Sequence, residues 1–91
     1  MSFDKDEIVG RARRDLAARL GVSEDDVGEG RVERSEFPDM ALGAPVRDEM
    51  SGMMITPGWR ITLAAGGRDY EYRADERQLR LYDFKGQNYK V

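Results

Sequence analysis

Residues 59–74, WRITLAAGGRDYEYRA, decide the fold of this chain. Large apolar residues alternate with polar or small ones on both sides of a Gly-Gly pair, and such alternation predicts two β-strands joined by a tight turn. A two-residue turn places Leu63 opposite Tyr70. It then places Ile61 opposite Tyr72, so that the large side chains share one face of the hairpin. A shift of one residue would move half of them to the other face, so the turn and the pattern predict the same register.

The hairpin extends into a third strand through a four-residue turn at 75–78. That turn places Leu79 opposite Ala74 and predicts one continuous apolar sheet face. Its members are Trp59, Ile61, Leu63, Tyr70, Tyr72, Leu79 and Leu81. Tyr82 and Phe84 are predicted to point to the opposite face. The polar residues 85–91 are predicted to form a frayed tail.

An amphipathic helix precedes the sheet. Asp4 followed by Glu7 is typical of a helix N-terminus, and Gly21 is typical of the residue that follows a helix. Between them an apolar stripe recurs at helical spacing: Ile8, Val9, Ala12, Leu16 and Leu20. These features predict a helix over 5–20 that covers the apolar sheet face.

The middle of the chain is less regular. Residues 23–26 have the composition of a single capped turn. Residues 28–37 are predicted to form an edge strand, because their many charges discourage pairing with other sheets. Residues 38–52 contain two prolines, two glycines and no clear period, which indicates a long loop.

The predicted fold is therefore α+β, with an N-terminal α-helix packed on an antiparallel sheet. The elements follow in the order α-β-β-β-β, and the last three strands form a meander. We expect a single domain over 1–91, with an ordered core over about 4–84.

Composition limits the chemistry. The chain has 91 residues, a net charge of −3, no His and no Cys. We therefore expect no His- or Cys-based catalysis, no metal site of the usual zinc type and no cofactor, so the protein is predicted not to be an enzyme. The negative charge argues against nucleic-acid binding, and no apolar stretch is long enough to span a membrane. The absence of Cys and of an apolar leader favours a cytoplasmic location.

The long loop carries the functional prediction. Methionine adapts to varied partners, and four methionines lie in or beside this loop. The candidate partner-binding residues are Asp39, Met40, Leu42, Met50, Met53 and Met54. They predict a non-enzymatic binding or inhibitory module that uses residues 38–59 to contact a protein partner. Because Met53 and Met54 adjoin the strand that leads into Trp59, the simpler role for the methionines is to close the open end of the core.

Two other functions remain open on the sequence. Asp39, Asp48 and Glu49 could serve a small-molecule binder or a small enzyme. Alternatively, the domain self-associates through a strand edge or through the face bearing Tyr82 and Phe84. The expected oligomeric state is a monomer or a weak homodimer.

Several motifs together resemble a family of small uncharacterised bacterial proteins. They are Leu42-Gly43-Ala44-Pro45, Thr56-Pro57-Gly58-Trp59-Arg60-Ile61 and Tyr70-Glu71-Tyr72-Arg73. The resemblance spans residues 6–81, and the chain departs from the usual pattern at Phe37, Ala41, Ala44 and Trp59. It implies a cystatin-like or PepSY-like domain, folds that often act as inhibitory or docking modules. Relatives often carry Cys at the position of Ala44, so any thiol role there is absent from this chain.

Overall fold

The computed structural model describes residues 4–91 and shows one helix followed by a five-stranded antiparallel meander. The elements are helix α1 (Lys5–Leu20), a short 3₁₀ turn (Glu24–Asp26), β1 (Gly28–Phe37), β2 (Thr56–Ala65), β3 (Arg68–Ala74), β4 (Leu79–Phe84) and β5 (Gln87–Lys90). The strands lie in the sheet in sequence order, so β1 and β5 form its two edges. The α+β class and the order of the predicted elements are confirmed.

Helix α1 begins and ends at the predicted caps. The Asp4 side chain accepts a hydrogen bond from the Glu7 backbone N–H at 2.8 Å, which satisfies one free donor of the first turn. Gly21 ends the helix with a positive φ of 69°, and its N–H donates to the Ala17 carbonyl. These caps fix the bounds of α1.

The central hairpin has the predicted register. Leu63 pairs with Tyr70 and Ile61 pairs with Tyr72. The next turn places Leu79 opposite Ala74, and it is closed by a hydrogen bond from the Asp75 N–H to the Gln78 carbonyl at 3.1 Å. Pairing and side-chain alternation therefore agree across β2, β3 and β4.

One apolar core lies between α1 and the sheet, and we call that side the helix face. The seven predicted sheet residues all belong to it, together with the buried stripe of the helix. Tyr72 is fully buried there, and its hydroxyl donates to the Asp15 carboxylate at 2.7 Å. Burial and this bond to a carboxylate both raise the pKa of Tyr72.

The C-terminal end differs from the sequence prediction. Phe84 lies in the core on the helix face, close to the rings of Tyr70 and Tyr89, rather than beside Tyr82 on the opposite face. The cause is an irregularity between Leu81 and Phe84, where Asp83 adopts a positive φ of 51°. One extra residue in a strand reverses the facing of every side chain beyond it.

The predicted frayed tail is also wrong. Residues 85–91 turn back to form β5, which pairs antiparallel with β4. Tyr89 packs against the core, and the Val91 N–H donates to the Leu79 carbonyl at 2.9 Å. The strand covers the β4 edge, which would otherwise be open. Among residues 4–91, no helix combines the length and apolar content needed to cross a bilayer.

Candidate functional site

Residues 38–49 cross the sheet on the face opposite α1. We call this segment the strap, and that side of the sheet the strap face. Arg73 and Arg80 alternate with core residues along β3 and β4, so their side chains point to the strap face. The strap buries a second, smaller apolar group there, made of Phe37, Ala41, Leu42 and Ala44.

Asp39 shapes the first turn of the strap. Its Oδ1 accepts hydrogen bonds from the N–H groups of Ala41 and Gly43, both at 2.9 Å. Leu42 and Gly43 follow each other at positive φ, 59° and 65°, a conformation that is costly for Leu. The Asp39 cap therefore holds a turn that the backbone would not adopt unaided.

Arg73 ties this turn to the sheet. Its guanidinium stacks on the Tyr82 ring, 3.7 Å from the centroid, and its Nε donates to Glu71 at 2.7 Å. Its Nη1 donates to the carbonyls of Leu42 and Gly43 at 3.0 and 3.1 Å. A side chain at Gly43 would meet this nitrogen at 2.7 Å, so the contact requires glycine there.

Arg80 ties the far end of the strap. It is almost fully buried and forms a two-bond contact with the Glu49 carboxylate, at 2.5 and 2.7 Å. Its Nη1 also donates to the Ala44 carbonyl at 3.2 Å, and the Lys90 ammonium lies 3.2 Å from Glu49. Hydrogen bonding to Arg80 lowers the pKa of Glu49 to about 2, against the opposing effect of burial. Such bidentate pairs fix geometry as well as charge.

Two amides complete the attachment. Gln78 Nε2 donates to the Met40 carbonyl at 2.8 Å, and Asn88 Nδ2 donates to the Pro45 carbonyl at 2.9 Å. Side chains from the sheet and its turns thus bind five carbonyls of residues 40–45. The strap is therefore an ordered part of the domain, held by polar contacts that satisfy its backbone.

The segment that follows the strap is held much less. Residues 50–55, which we call the methionine segment, are exposed except for the half-buried Ser51: Met50 is 97% exposed, Met53 86% and Met54 65%. Its contact with the strap is a hydrogen bond from the Met40 N–H to the Gly52 carbonyl at 2.9 Å. Met40 packs over Gly52, where a side chain would meet its sulfur at 2.6 Å.

A shallow depression lies beside the methionine segment. It has a volume of about 240 Å³ and lies between Met54, Ile55 and the turn at 75–78. Met40 and Pro57 also line it. The surface at this end of the sheet is therefore apolar and concave, with polar residues of the turn along one side.

The structure divides the six predicted partner-binding residues into two groups. All four methionines are exposed; Met40 and Met54 line the depression with Ile55, and Met50 and Met53 belong to the methionine segment. Leu42 is fully buried under the strap, and Asp39 is engaged in capping it. Those two residues build the support on which the methionines are displayed.

The acids of the alternative site are used differently. Asp39 binds backbone N–H groups, Glu49 binds Arg80 and Lys90, and Asp48 is exposed at a positive φ of 64°. Within residues 4–91 no group of three or more acids converges in a way that could hold a metal ion. Of the three carboxylates, Asp39 and Glu49 are thus engaged in holding the strap.

The sequence analysis missed the two arginines that organise the region. Arg73 and Arg80 are directly paired across β3 and β4. The predicted hairpins already place these two positions opposite each other, on the face away from the helix. Two like charges in directly opposed positions of a sheet repel each other unless hydrogen-bond acceptors cover them. The predicted pairing of the two arginines therefore indicated that another segment covers this face.

The comparisons with known proteins give one match. No match was found among the curated proteins or among solved structures. A family model described as "Domain of unknown function (DUF8738)" matches residues 9–82, from the first half of α1 into β4. The matched range contains the strap, both arginines and the methionine segment, and the chain belongs to this DUF8738 family.

Proposed function

We propose that the protein is a non-enzymatic binding module whose methionine segment, together with Met40, contacts an apolar surface on a protein partner. One observation carries the proposal. Within residues 4–91, the exposed large apolar residues are Val22, Met40, Met50, Met53, Met54 and Ile55. All of them except Val22 are Met40 or members of the methionine segment, and such a concentration of exposed apolar side chains is characteristic of an interaction site.

The support beneath this surface favours the same function. The strap is fixed by Arg73 and Arg80, so the residues just before the methionine segment have little freedom. Methionine side chains themselves stay adaptable, because three rotatable bonds let the thioether follow the shape of a partner. An ordered base with adaptable tips lowers the entropy lost on binding while still tolerating varied contacts.

A module of this kind acts by occupying its partner, as a docking or an inhibitory domain. The partner surface is expected to be apolar at its centre. Around the depression the turn residues Asp75, Arg77 and Gln78 supply polar groups for the rim. An apolar centre with a polar rim is the usual anatomy of a protein interface.

The test is site-specific photo-crosslinking in cells. A photoreactive residue replaces Met53, and a matched variant carries it at Val22, the exposed apolar position outside the surface. We expect a defined crosslinked protein with the Met53 variant and not with the Val22 variant. The purified partner should then bind the native chain and bind the Met50→Gln variant at least about tenfold more weakly, with unchanged thermal stability.

Two results would overturn the proposal. One is the same crosslinked products, in similar yield, from both positions. The other is a partner affinity that Met50→Gln and Met53→Gln leave unchanged. Both substitutions are at exposed side chains, so neither should disturb the fold.

A further inference from the structure

The outer edge of β1 has no partner strand within residues 4–91. The strand lies at one end of the sheet, and its residues are exposed for most of their length. An open edge presents unpaired N–H and C=O groups and is a template for another strand; its charges discourage most pairings but favour a register that sets opposite charges against each other. The methionine segment lies elsewhere, just before Thr56, which pairs with Phe37 at the other end of β1. This edge therefore raises a separate question from the proposed function.

The register of the sheet shows which β1 groups face outward. A two-residue turn makes Ala65 and Arg68 a hydrogen-bonded pair, so the odd-numbered residues of β2 bond to β3. The even-numbered residues of β2 then bond to β1, where Thr62 pairs with Arg31 and Arg60 with Glu33. It follows that Val32, Arg34 and Glu36 direct their backbone groups to the open edge.

Two copies of β1 can meet antiparallel across a two-fold axis perpendicular to the sheet. That axis keeps each side chain on its own face of the sheet. Directly opposed residues must point to the same face, so one residue of β1 lies at the axis, opposite the same residue of the other copy. An axis through Glu33 or Arg34 would set like charges directly against each other. An axis through Val32 sets Arg31 of each copy opposite Glu33 of the other.

We propose that the chain forms a homodimer through β1, centred on Val32, in which the two sheets join into one ten-stranded sheet. Two reciprocal Arg31–Glu33 pairs lie across the interface, and opposite charges in directly opposed positions stabilise antiparallel pairing. Gly30 lies opposite Arg34 of the other copy, so no side chain opposes that guanidinium. No like charges face each other in this register.

The side chains are available for this contact. Arg31 is 71% exposed and Glu33 44% exposed, and within one chain their nearest charged atoms are 4.0 Å apart. The irregularity between Glu29 and Arg31 bends the strand and limits the pairing to a few residues. The dimer is therefore weak and depends on concentration, and part of its stability is lost at high salt.

Sedimentation equilibrium of the native chain over a wide range of protein concentration tests the association. A reversible monomer–dimer equilibrium is expected, and a monomer at every concentration overturns the proposal. Amide hydrogen exchange then tests the place of contact. The N–H groups of Val32 and Arg34 should gain protection as the protein concentration rises, and no gain at either would locate the contact elsewhere.

Charge variants test the register. Arg31→Glu alone and Glu33→Arg alone each replace both cross-strand attractions by repulsions, so each should raise the dimer dissociation constant at least about tenfold. An equal mixture of the two variants should restore dimerisation as a heterodimer, because their charges are complementary. The double variant carrying both changes should also dimerise.

Several outcomes would reject this register. They are single variants that dimerise like the native chain, a mixture that stays monomeric, and a double variant that stays monomeric. The substitutions lie on exposed side chains, and a thermal melt of each variant checks that the monomer is folded. Loss of the dimer would leave partner binding by the methionine segment intact, so the two proposals fail separately.

Discussion

The two faces of the sheet are covered in opposite ways. On the helix face, α1 contributes an apolar stripe that packs on the apolar sheet residues. On the strap face, a segment without regular structure is held by hydrogen bonds from Arg73 and Arg80 to its carbonyls and to Glu49. The same strands thus support an apolar core on one side and a polar attachment on the other.

The strap and the helix face are expected to open in separate steps. Apolar burial is non-directional, and many residues share it, so the helix face can be lost only when the domain unfolds. The strap is held by a few directional contacts, and releasing it exposes little of the main core. We therefore expect two separate transitions, with the strap opening at lower free energy than global unfolding.

The largest expected effect compares one substitution on the two faces. Leu81 lies on the helix face and Leu42 under the strap, and both are fully buried. Leu81→Ala should lower the free energy of global unfolding by about 3 kcal/mol, because it leaves a cavity in a close-packed core. Leu42→Ala should lower it by about 1 kcal/mol, because the strap can settle into the space. Urea unfolding followed by fluorescence of Trp59 measures both.

Amide hydrogen exchange distinguishes the Leu42→Ala and Leu81→Ala variants further. Leu42→Ala should increase exchange at strap amides such as Gly43 while the amides of β2 and β3 stay protected. Leu81→Ala should increase exchange across the whole sheet. Equal losses of global stability in the two variants would mean that the two faces form one cooperative unit.

A smaller effect is expected when the strap loses its buried attachment. Arg80→Met keeps most of the side-chain volume but removes the contacts to Glu49 and to the Ala44 carbonyl. We expect a loss of about 2 kcal/mol, below the usual cost of breaking a buried ion pair, because the strap can open and hydrate Glu49. Exchange at strap amides and the urea midpoint together measure how the loss divides between opening and unfolding.

A matched control lies on the same face. Arg60 pairs with Glu71 at 3.3 Å, but its side chain is 38% exposed. Arg60→Met should therefore change stability by less than about 0.5 kcal/mol. If Arg80→Met and Arg60→Met lowered the free energy of unfolding by the same amount, the burial of Arg80 would not be what holds the strap.

The helix face was predictable from the sequence because its signals are local and repeated. The alternation in β2 and β3, the Gly66-Gly67 turn and the stripe of α1 each indicate the same apolar surface, and the structure confirms the register. Each signal spans a few residues, so a single sequence is enough to read it.

The strap face was not predictable in the same way. The contact from Arg73 to the Leu42 carbonyl joins residues 31 positions apart, and any residue supplies a carbonyl. The glycine that the contact requires at position 43 is also common in turns of every kind, so it does not mark the position that Arg73 binds. The two arginines were visible as a pair of like charges in the predicted register, but a pair of charges does not indicate which segment will cover it.

The prediction for the C-terminal end was wrong for a related reason. The placement of Phe84 depends on one extra residue at Asp83, and no residue with a strong preference for positive φ marks that position. With the strand assumed regular, Phe84 was predicted on the wrong face, and the remaining residues were predicted to have no partner strand.

In the candidate site, composition identified the methionines as a group, but only burial separates Met50 from Leu42.

The smallest effect is a dependence on pH that is specific to the strap. The pKa of Glu49 is about 2 in the folded protein, lowered from 4.5 by its hydrogen bonds to Arg80. Its folded pKa lies below its unfolded value, so its contribution to stability is complete above about pH 4.5 and is lost as the pH falls towards 2. Glu49→Gln removes the charge and should lower stability at pH 7, with the gap between native and variant closing across that window. Urea unfolding of both proteins at several pH values measures the gap. A gap that stays constant from pH 7 to pH 2 would show that Glu49 holds the strap by its shape and hydrogen bonds and not by its charge.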